Sequence, residues 1–258
     1  MLFFNVPDEG EYWSHLWERQ TKTSYWYKLD DMDGPRKAID RWMKSQMDIY
    51  MCVSFFDKPG NEKTRQLASD SAGIWGLWLD IDLQSPYRSR SNLPKTMADA
   101  RLLLGMVPMQ PSVIINSGYG LQPWWLFKEP WVFKDADDRT NAARLAGAWN
   151  ELFRLRGLSR GWAVDGVADL VRLMRVPGTK NFKGPVPIDV EIVEETALRY
   201  DPSELSDIIP SEAWEARRGV SDPSLSINVA VREDPPIPSK FAALCANIDG
   251  FAPAWNHT

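Results

Sequence analysis

The 258-residue chain contains only two cysteines and two histidines. Cys52 and Cys245 sit in unlike surroundings without metal-ligand spacing, so neither a disulfide framework nor a thiolate zinc site is expected. His15 and His257 lie near opposite termini, which argues against histidine catalysis and a histidine-rich metal centre. No run of eighteen apolar residues occurs, so no membrane-spanning helix and no membrane partner is expected. The opening MLFFNVPDEGEYW lacks the basic flank and long apolar stretch of a secretory signal, and the expected location is the cytoplasm. A strong charge of one sign is also missing, the formal net charge being −5.

What is present is the composition of a globular protein, 44% hydrophobic and 25% charged, long enough to bury a sizeable core. The charge is unevenly placed. Residues 1–200 hold 26 Lys/Arg and 26 Asp/Glu, whereas residues 201–258 hold four and nine, so all the excess acid lies in the tail. Within the neutral body, QSPYRSRSNLPKT carries Arg88, Arg90 and Lys95 without an acid. RLMRVPGTKNFK likewise carries Arg172, Arg175, Lys180 and Lys183. Such stretches are either solvated surface or a local footprint for a polyanion.

Hydrophobic periodicity organises the chain. Helices are expected over 35–46, 96–106, 135–156 and 201–209, the last opened by an Asp cap with Pro at the first helical position. Strands are expected over 49–56, 73–83, 111–118 and 121–133, the last held at an edge or made irregular by two prolines. VPIDVEIVE, 186–194, alternates as a half-buried strand. Seven of the nineteen prolines follow Tyr200, and beyond about Pro210 periodicity is lost. The expected organisation is therefore a body over 1–210 and a Pro-rich acidic extension over 211–258.

The apolar run GLWLDIDLQ ends in two carboxylates, Asp80 and Asp82. Residues two apart on a strand share a face, so both project to one side while Leu79 and Ile81 face the core. Their mutual repulsion calls for a cation, and hard oxygen ligands suit Mg²⁺ or Mn²⁺. A third carboxylate should come from elsewhere: Asp165, which ends the short apolar run Trp162–Val164, is favoured on strand-end logic, with Asp169 as rival. Asp169 has an ordinary alternative, capping a helix or pairing with Arg172. In NSGYGLQPWW, Ser117, Gly118 and Gly120 make a turn whose amides could hold phosphate oxygens, or a plain two-glycine hairpin. Gln122 is an uncharged donor beside it, and Trp124 and Trp125 read as core. Arg172 and Arg175, then Lys180 after a Pro-Gly turn, supply the charges that a nucleoside triphosphate requires, and the uncharged Asn181 follows.

In order and spacing these stretches resemble the archaeo-eukaryotic primase superfamily, specifically the primase-polymerase domains of phages, plasmids and mobile elements. LWLDIDL resembles its acidic first motif, SGYGLQPWW its second, and VDGVADLVRLMRVPGTKNFK its third, over roughly residues 49–190. Many members carry His where this chain has Gln122. The resemblance implies an α/β (α+β) fold, with an RNA-recognition-like mixed sheet carrying the acids beside a smaller N-terminal α/β subdomain. It implies template-dependent nucleotidyl transfer from (d)NTPs onto a primer 3′-hydroxyl or an initiating nucleotide, with two divalent ions on Asp80, Asp82 and Asp165. Ser117, Gly118, Gln122, Arg172, Arg175, Lys180 and Asn181 would hold the triphosphate, and Arg88, Arg90, Lys95 and Lys183 a single-stranded template with its primer. The setting implied is a bacterial or phage-infected cell, and FAPAWNHT resembles the start of a helical or helicase segment in longer relatives. Two rival functions use the same residues: a catalytically weak replication initiator that binds DNA, and a metal-dependent nuclease.

Overall fold

The alternating apolar pattern becomes one large antiparallel sheet backed by helices. The structure, a computed structural model, describes residues 4–63, 66–86 and 90–216, all within one compact unit spanning 1–221. In chain order the elements are β1 (Trp13–Glu18), β2 (Thr23–Lys28), α1 (Asp33–Lys44), β3 (Ile49–Phe56), β4 (Ser71–Trp78), β5 (Ile81–Asp82) and α2 (Met97–Gly105). There follow β6 (Val113–Asn116), β7 (Gly120–Val132), α3 (Ala136–Leu158), β8 (Leu173–Arg175), β9 (Lys180–Asn181), β10 (Ile188–Asp189), β11 (Glu191–Glu195), α4 (Pro202–Ser206) and α5 (Ser211–Glu215). The strand order is β11-β6-β7-β4-β3-β1-β2, with β5 paired to β7 and β8 to β3, while β9 and β10 form a separate ribbon.

The α+β class is the one expected. Within it two details differ from the resemblance. Every named ladder among the described residues is antiparallel, the one parallel contact being a bridge between Phe127 and Tyr200. The N-terminal strands do not form a separate unit: β1 pairs with β3, so their hydrogen bonds extend the main sheet. Ser211–Glu215, expected in the extension, is a short helix with Ala213 buried. The remainder of that stretch, 217–258, with Cys245 and His257, lies outside the described residues. Among the described residues no helix is long and apolar enough to cross a membrane.

The core is aromatic. Trp78, Trp124, Trp125, Trp149, Phe55, Phe56, Phe127 and Phe153 are fully buried, each worth about 1.5–3 kcal/mol or more in apolar burial. α3 lies across one face of the sheet, with Trp149 and Phe153 in ring contact with Trp125. By strand alternation Trp124 and Gln122 face the opposite side of β7. Asp135 starts α3 by accepting the N–H groups of Asp137 and Asp138, and Thr96 and Asp99 cap α2 reciprocally.

Of the two alternatives expected for strand β7, the irregular one holds and the edge one does not. Despite Pro123 and Pro130 it is long and central, between β6 and β4. Each proline falls where the ladder can spare a donor. Pro130 sits in the bulge between the Ile74–Trp131 and Gly76–Leu126 pairs. The Pro123 carbonyl accepts the Leu79 N–H at 3.1 Å, so its missing N–H falls at the break between β4 and β5, next to Asp80. The strand expected over 186–194 is also different: β11 is a sheet edge, and Ile192 and Val193 are exposed.

Gly76 is required by this packing. A Cβ there would collide with the Trp125 carbonyl oxygen and lie 2.8 Å from the Leu126 Cα, both fixed backbone of β7. Gly76→Ala should therefore destabilise the protein by about 1–3 kcal/mol or more in urea unfolding; an unchanged midpoint would contradict the β4–β7 register.

Candidate active site

The site forms where β3 and β4 separate. The two strands pair at Ser54–Ile74 and Phe55–Gly73, but at residues 50–52 β3 pairs instead with β8. Beyond this point β4 is covered by the segment leading into β8. The Trp78 indole donates to the Val167 carbonyl at 2.7 Å. Asn150 of α3 donates to the Trp78 carbonyl at 3.1 Å and accepts the Val167 N–H at 3.2 Å. Ser54 donates to the Leu170 carbonyl. Trp162–Val164 is thus not a strand but part of a loop, its backbone met by single contacts such as Ala163 N–H to the Asn92 carbonyl at 2.6 Å.

Asp80 lies in the break between β4 and β5, and Asp82 in β5 opposite Gly120. Leu79 and Ile81 are fully buried while both aspartates are partly exposed, the alternation expected of a strand. Gly120 is needed for this pairing, because a Cβ would meet the Ile81 carbonyl and lie 3.1 Å from the Asp82 Cα.

Gln122 is buried, at 4% exposure, and bridges two strands. Its Oε1 accepts the Arg175 backbone N–H at 2.9 Å, and its Nε2 donates to Asp80 Oδ1 at 3.3 Å. The backbone N–H can meet only an acceptor, so the oxygen end of the amide must face Arg175 and the nitrogen end Asp80.

The remaining residues divide by their partners. Arg175 and Asn181 are buried in an internal network: Arg175 donates to Asp48 and, at 2.8 Å, to Asn181 Oδ1, and Asn181 donates to the Ser117 carbonyl at 2.7 Å. The turn amides are also engaged, Ser117 N–H by the Gly120 carbonyl and Gly118 N–H by Asn116 Oδ1, both at 2.9 Å. Gly118 has φ +92°, and a Cβ there would lie 3.2 Å from those of Asn181 and Ile188. Arg172 pairs with Asp169 at 2.7 Å, the ordinary alternative weighed for that acid, and Lys180 pairs with Asp189 across the β9–β10 ribbon. Both cations are partly exposed.

Asp165 is not gathered with Asp80 and Asp82; it forms an exposed ion pair with Arg90. Among the described residues no three His, Cys, Asp or Glu side chains are grouped closely enough to hold a metal ion. Lys95 and Lys183 are exposed, and Arg88 lies outside the described residues.

Two residues went unnoticed in the sequence. Asp48, one residue before β3, is buried and paired with Arg175. Tyr50 lies 4.5 Å beneath the Arg175 guanidinium. Burial pushes the Tyr50 hydroxyl above its usual pKa; Arg175 lowers it, Asp48 raises it, and smaller opposed effects come from Arg19 and Asp80. The signal for Asp48 was the one used for Asp80, an acid at the boundary of an apolar strand.

The fold is similar to that of the archaeo-eukaryotic primase (AEP) domain of a phage primase-polymerase. The chain is similar to the AEP domain of the cyanophage S-2L primase-polymerase, with a TM-score of 0.52 and 14% identity over 78% of this chain and 90% of that one. The catalytic domain of primase RepB′ in complex with initiator DNA gives a TM-score of 0.49 at 12% identity, over 81% of this chain and 89% of that one. No protein-family model and no curated protein matches the sequence.

Proposed function

We propose that this chain is a template-dependent primase-polymerase domain. In this reading it transfers nucleotides from (d)NTPs to a primer 3′-hydroxyl or an initiating nucleotide, forming a phosphodiester and releasing pyrophosphate. The observation that carries the reading is the Asp80–Gln122 contact at the β4–β5 break, with Asp82 two residues on, within a primase-polymerase fold.

Two partly exposed carboxylates fit Mg²⁺ or Mn²⁺, because such ions take one or two protein carboxylates and complete their shell with water and phosphate oxygens. When bound, the cation would supply Lewis-acid stabilisation of the charge developing on the transferred phosphoryl group. Gln122 fixes the Asp80 carboxylate before substrate arrives. Asp165, the ligand a second ion would need, would have to give up Arg90; their side chains are 38% and 57% exposed, and such a pair is worth about 1 kcal/mol or less. Arg172 and Lys180 exchange Asp169 and Asp189 for the more highly charged triphosphate. Ser117, Gly118 and Asn181 build the turn beneath it. Arg88, Arg90, Lys95 and Lys183 serve the single-stranded template through phosphate contacts, and a helicase or helical priming module would lie in a longer chain.

The test is incubation with primed and unprimed single-stranded templates, Mn²⁺ or Mg²⁺, and NTPs and dNTPs separately and mixed. Labelled nucleotide should enter template-complementary products. Template shortening without incorporation would indicate a nuclease, and retention of DNA without either would indicate an initiator; both outcomes overturn the proposal. Gln122→Glu, which sets a second carboxylate against Asp80, should lower incorporation about 10–100-fold.

A further inference from the structure

Arg175 was expected to hold the triphosphate, yet its side chain is 3% exposed and that of its partner Asp48 is 2% exposed. Its Nη1 donates to Asp48 Oδ1 at 2.5 Å, its Nη2 to Asn181 Oδ1 at 2.8 Å, and its Cζ lies 4.5 Å from the centre of the Tyr50 ring. Asp48 is fastened in turn. Its Oδ1 accepts the Phe182 N–H at 3.0 Å, and its Oδ2 faces Gln20 Nε2 at 3.3 Å and Arg19 at 3.6 Å. A guanidinium engaged in this way meets a phosphate only by dismantling its surroundings. What it does fix is the backbone at residue 175, whose N–H decides which end of the Gln122 amide faces Asp80.

We propose that Asp48 is a positioning residue for the acid pair: through Arg175 it sets the Gln122 amide that holds Asp80, and Arg175 works from inside the protein rather than on the triphosphate. The inference rests on the reading of Asp80 as a cation ligand. Partners that orient ligands in this way typically govern 10–100-fold in metal affinity or activity.

The test is the double variant Asp48→Asn/Arg175→Met in the 258-residue chain. It removes both buried charges together, which proteins often tolerate, and the introduced amide keeps an acceptor for the Phe182 N–H. Mn²⁺ affinity without nucleotide is read from the electron paramagnetic resonance signal of the free ion, and kcat and KM for dNTP from primer extension, with thermal unfolding as the control for folding. Mn²⁺ binding should weaken, and kcat fall, by about 10–100-fold at a KM within twofold of wild type. A tenfold rise in KM at unchanged Mn²⁺ affinity and kcat would make Arg175 a triphosphate ligand and overturn the proposal. So would wild-type values throughout in a folded protein, which would leave the pair merely structural. If the double variant does not fold, Arg175→Lys takes its place. It keeps the charge for Asp48 but not the fork that also reaches Asn181, and should weaken Mn²⁺ binding and kcat severalfold at constant KM; an effect on KM alone overturns the proposal here too. Wild type that binds Mn²⁺ but incorporates no nucleotide would defeat the polymerase reading while the Mn²⁺ comparison still decides the role of Asp48. Wild type that binds no Mn²⁺ would defeat both.

Discussion

Replacing Asp80 by asparagine should reduce nucleotide incorporation about a thousandfold and leave the melting temperature within a few degrees of wild type. The rate effect follows from the role proposed for the acid pair: Lewis-acid stabilisation by a bound cation is worth several kcal/mol, and each ~1.4 kcal/mol is tenfold in rate. The small stability effect follows from the geometry. Asp80 is partly exposed and accepts a hydrogen bond from Gln122, which the amide oxygen of an asparagine still accepts. The substitution therefore removes the charge while keeping an acceptor for Gln122. Primer extension with Mn²⁺, alongside thermal unfolding followed by circular dichroism, checks both halves. Extension at the wild-type rate would end the metal role of the pair.

Asp48→Ala should show the opposite pattern to a surface change, destabilising the protein by about 3–5 kcal/mol because it leaves the Arg175 guanidinium buried and uncompensated. For a domain of this size that corresponds to a fall in Tm of roughly 6–20 °C, a large share of the ~5–15 kcal/mol that holds such proteins folded. Asp165→Ala breaks an ion pair with both partners in solvent, and should change stability by about 1 kcal/mol or less. Urea unfolding of the two variants under identical conditions makes the comparison. Equal stabilities would mean that the Asp48–Arg175 pair is not buried in solution.

Much of the framework was legible because it follows from local rules. Strand β3 coincides with the expected 49–56, and α2 and α3 begin at capping residues that announce themselves, Thr96 and Asp135. A residue whose role depends on a distant partner is not legible from local pattern. Pro123 and Pro130 argue locally for either an edge strand or an irregular one, and only the tertiary pairing decides for the second: β7 is central, with one proline at a ladder break and the other in a bulge. Trp162–Val164 has the composition of a strand but lies in a loop, because the Trp162 and Ala163 N–H groups go to the Gly157 and Asn92 carbonyls rather than to a neighbouring strand.

The candidate site divides in the same way. The sequence by itself determined that Asp80 and Asp82 share one side of a strand end, since a period of two is a property of the extended backbone. It also determined which residues carry charge suited to a polyanion. Only the tertiary structure decided which of those charges face outward. Arg172 and Arg175 are three residues apart in one motif, but Arg172 pairs with a partly exposed Asp169, whereas Arg175 is sealed against Asp48, 127 positions away. Gln122 became the holder of Asp80 because β8 brings a backbone N–H to its oxygen. Strand pairing at long sequence separation creates these contacts, and a linear pattern carries no record of which acid a buried arginine will meet.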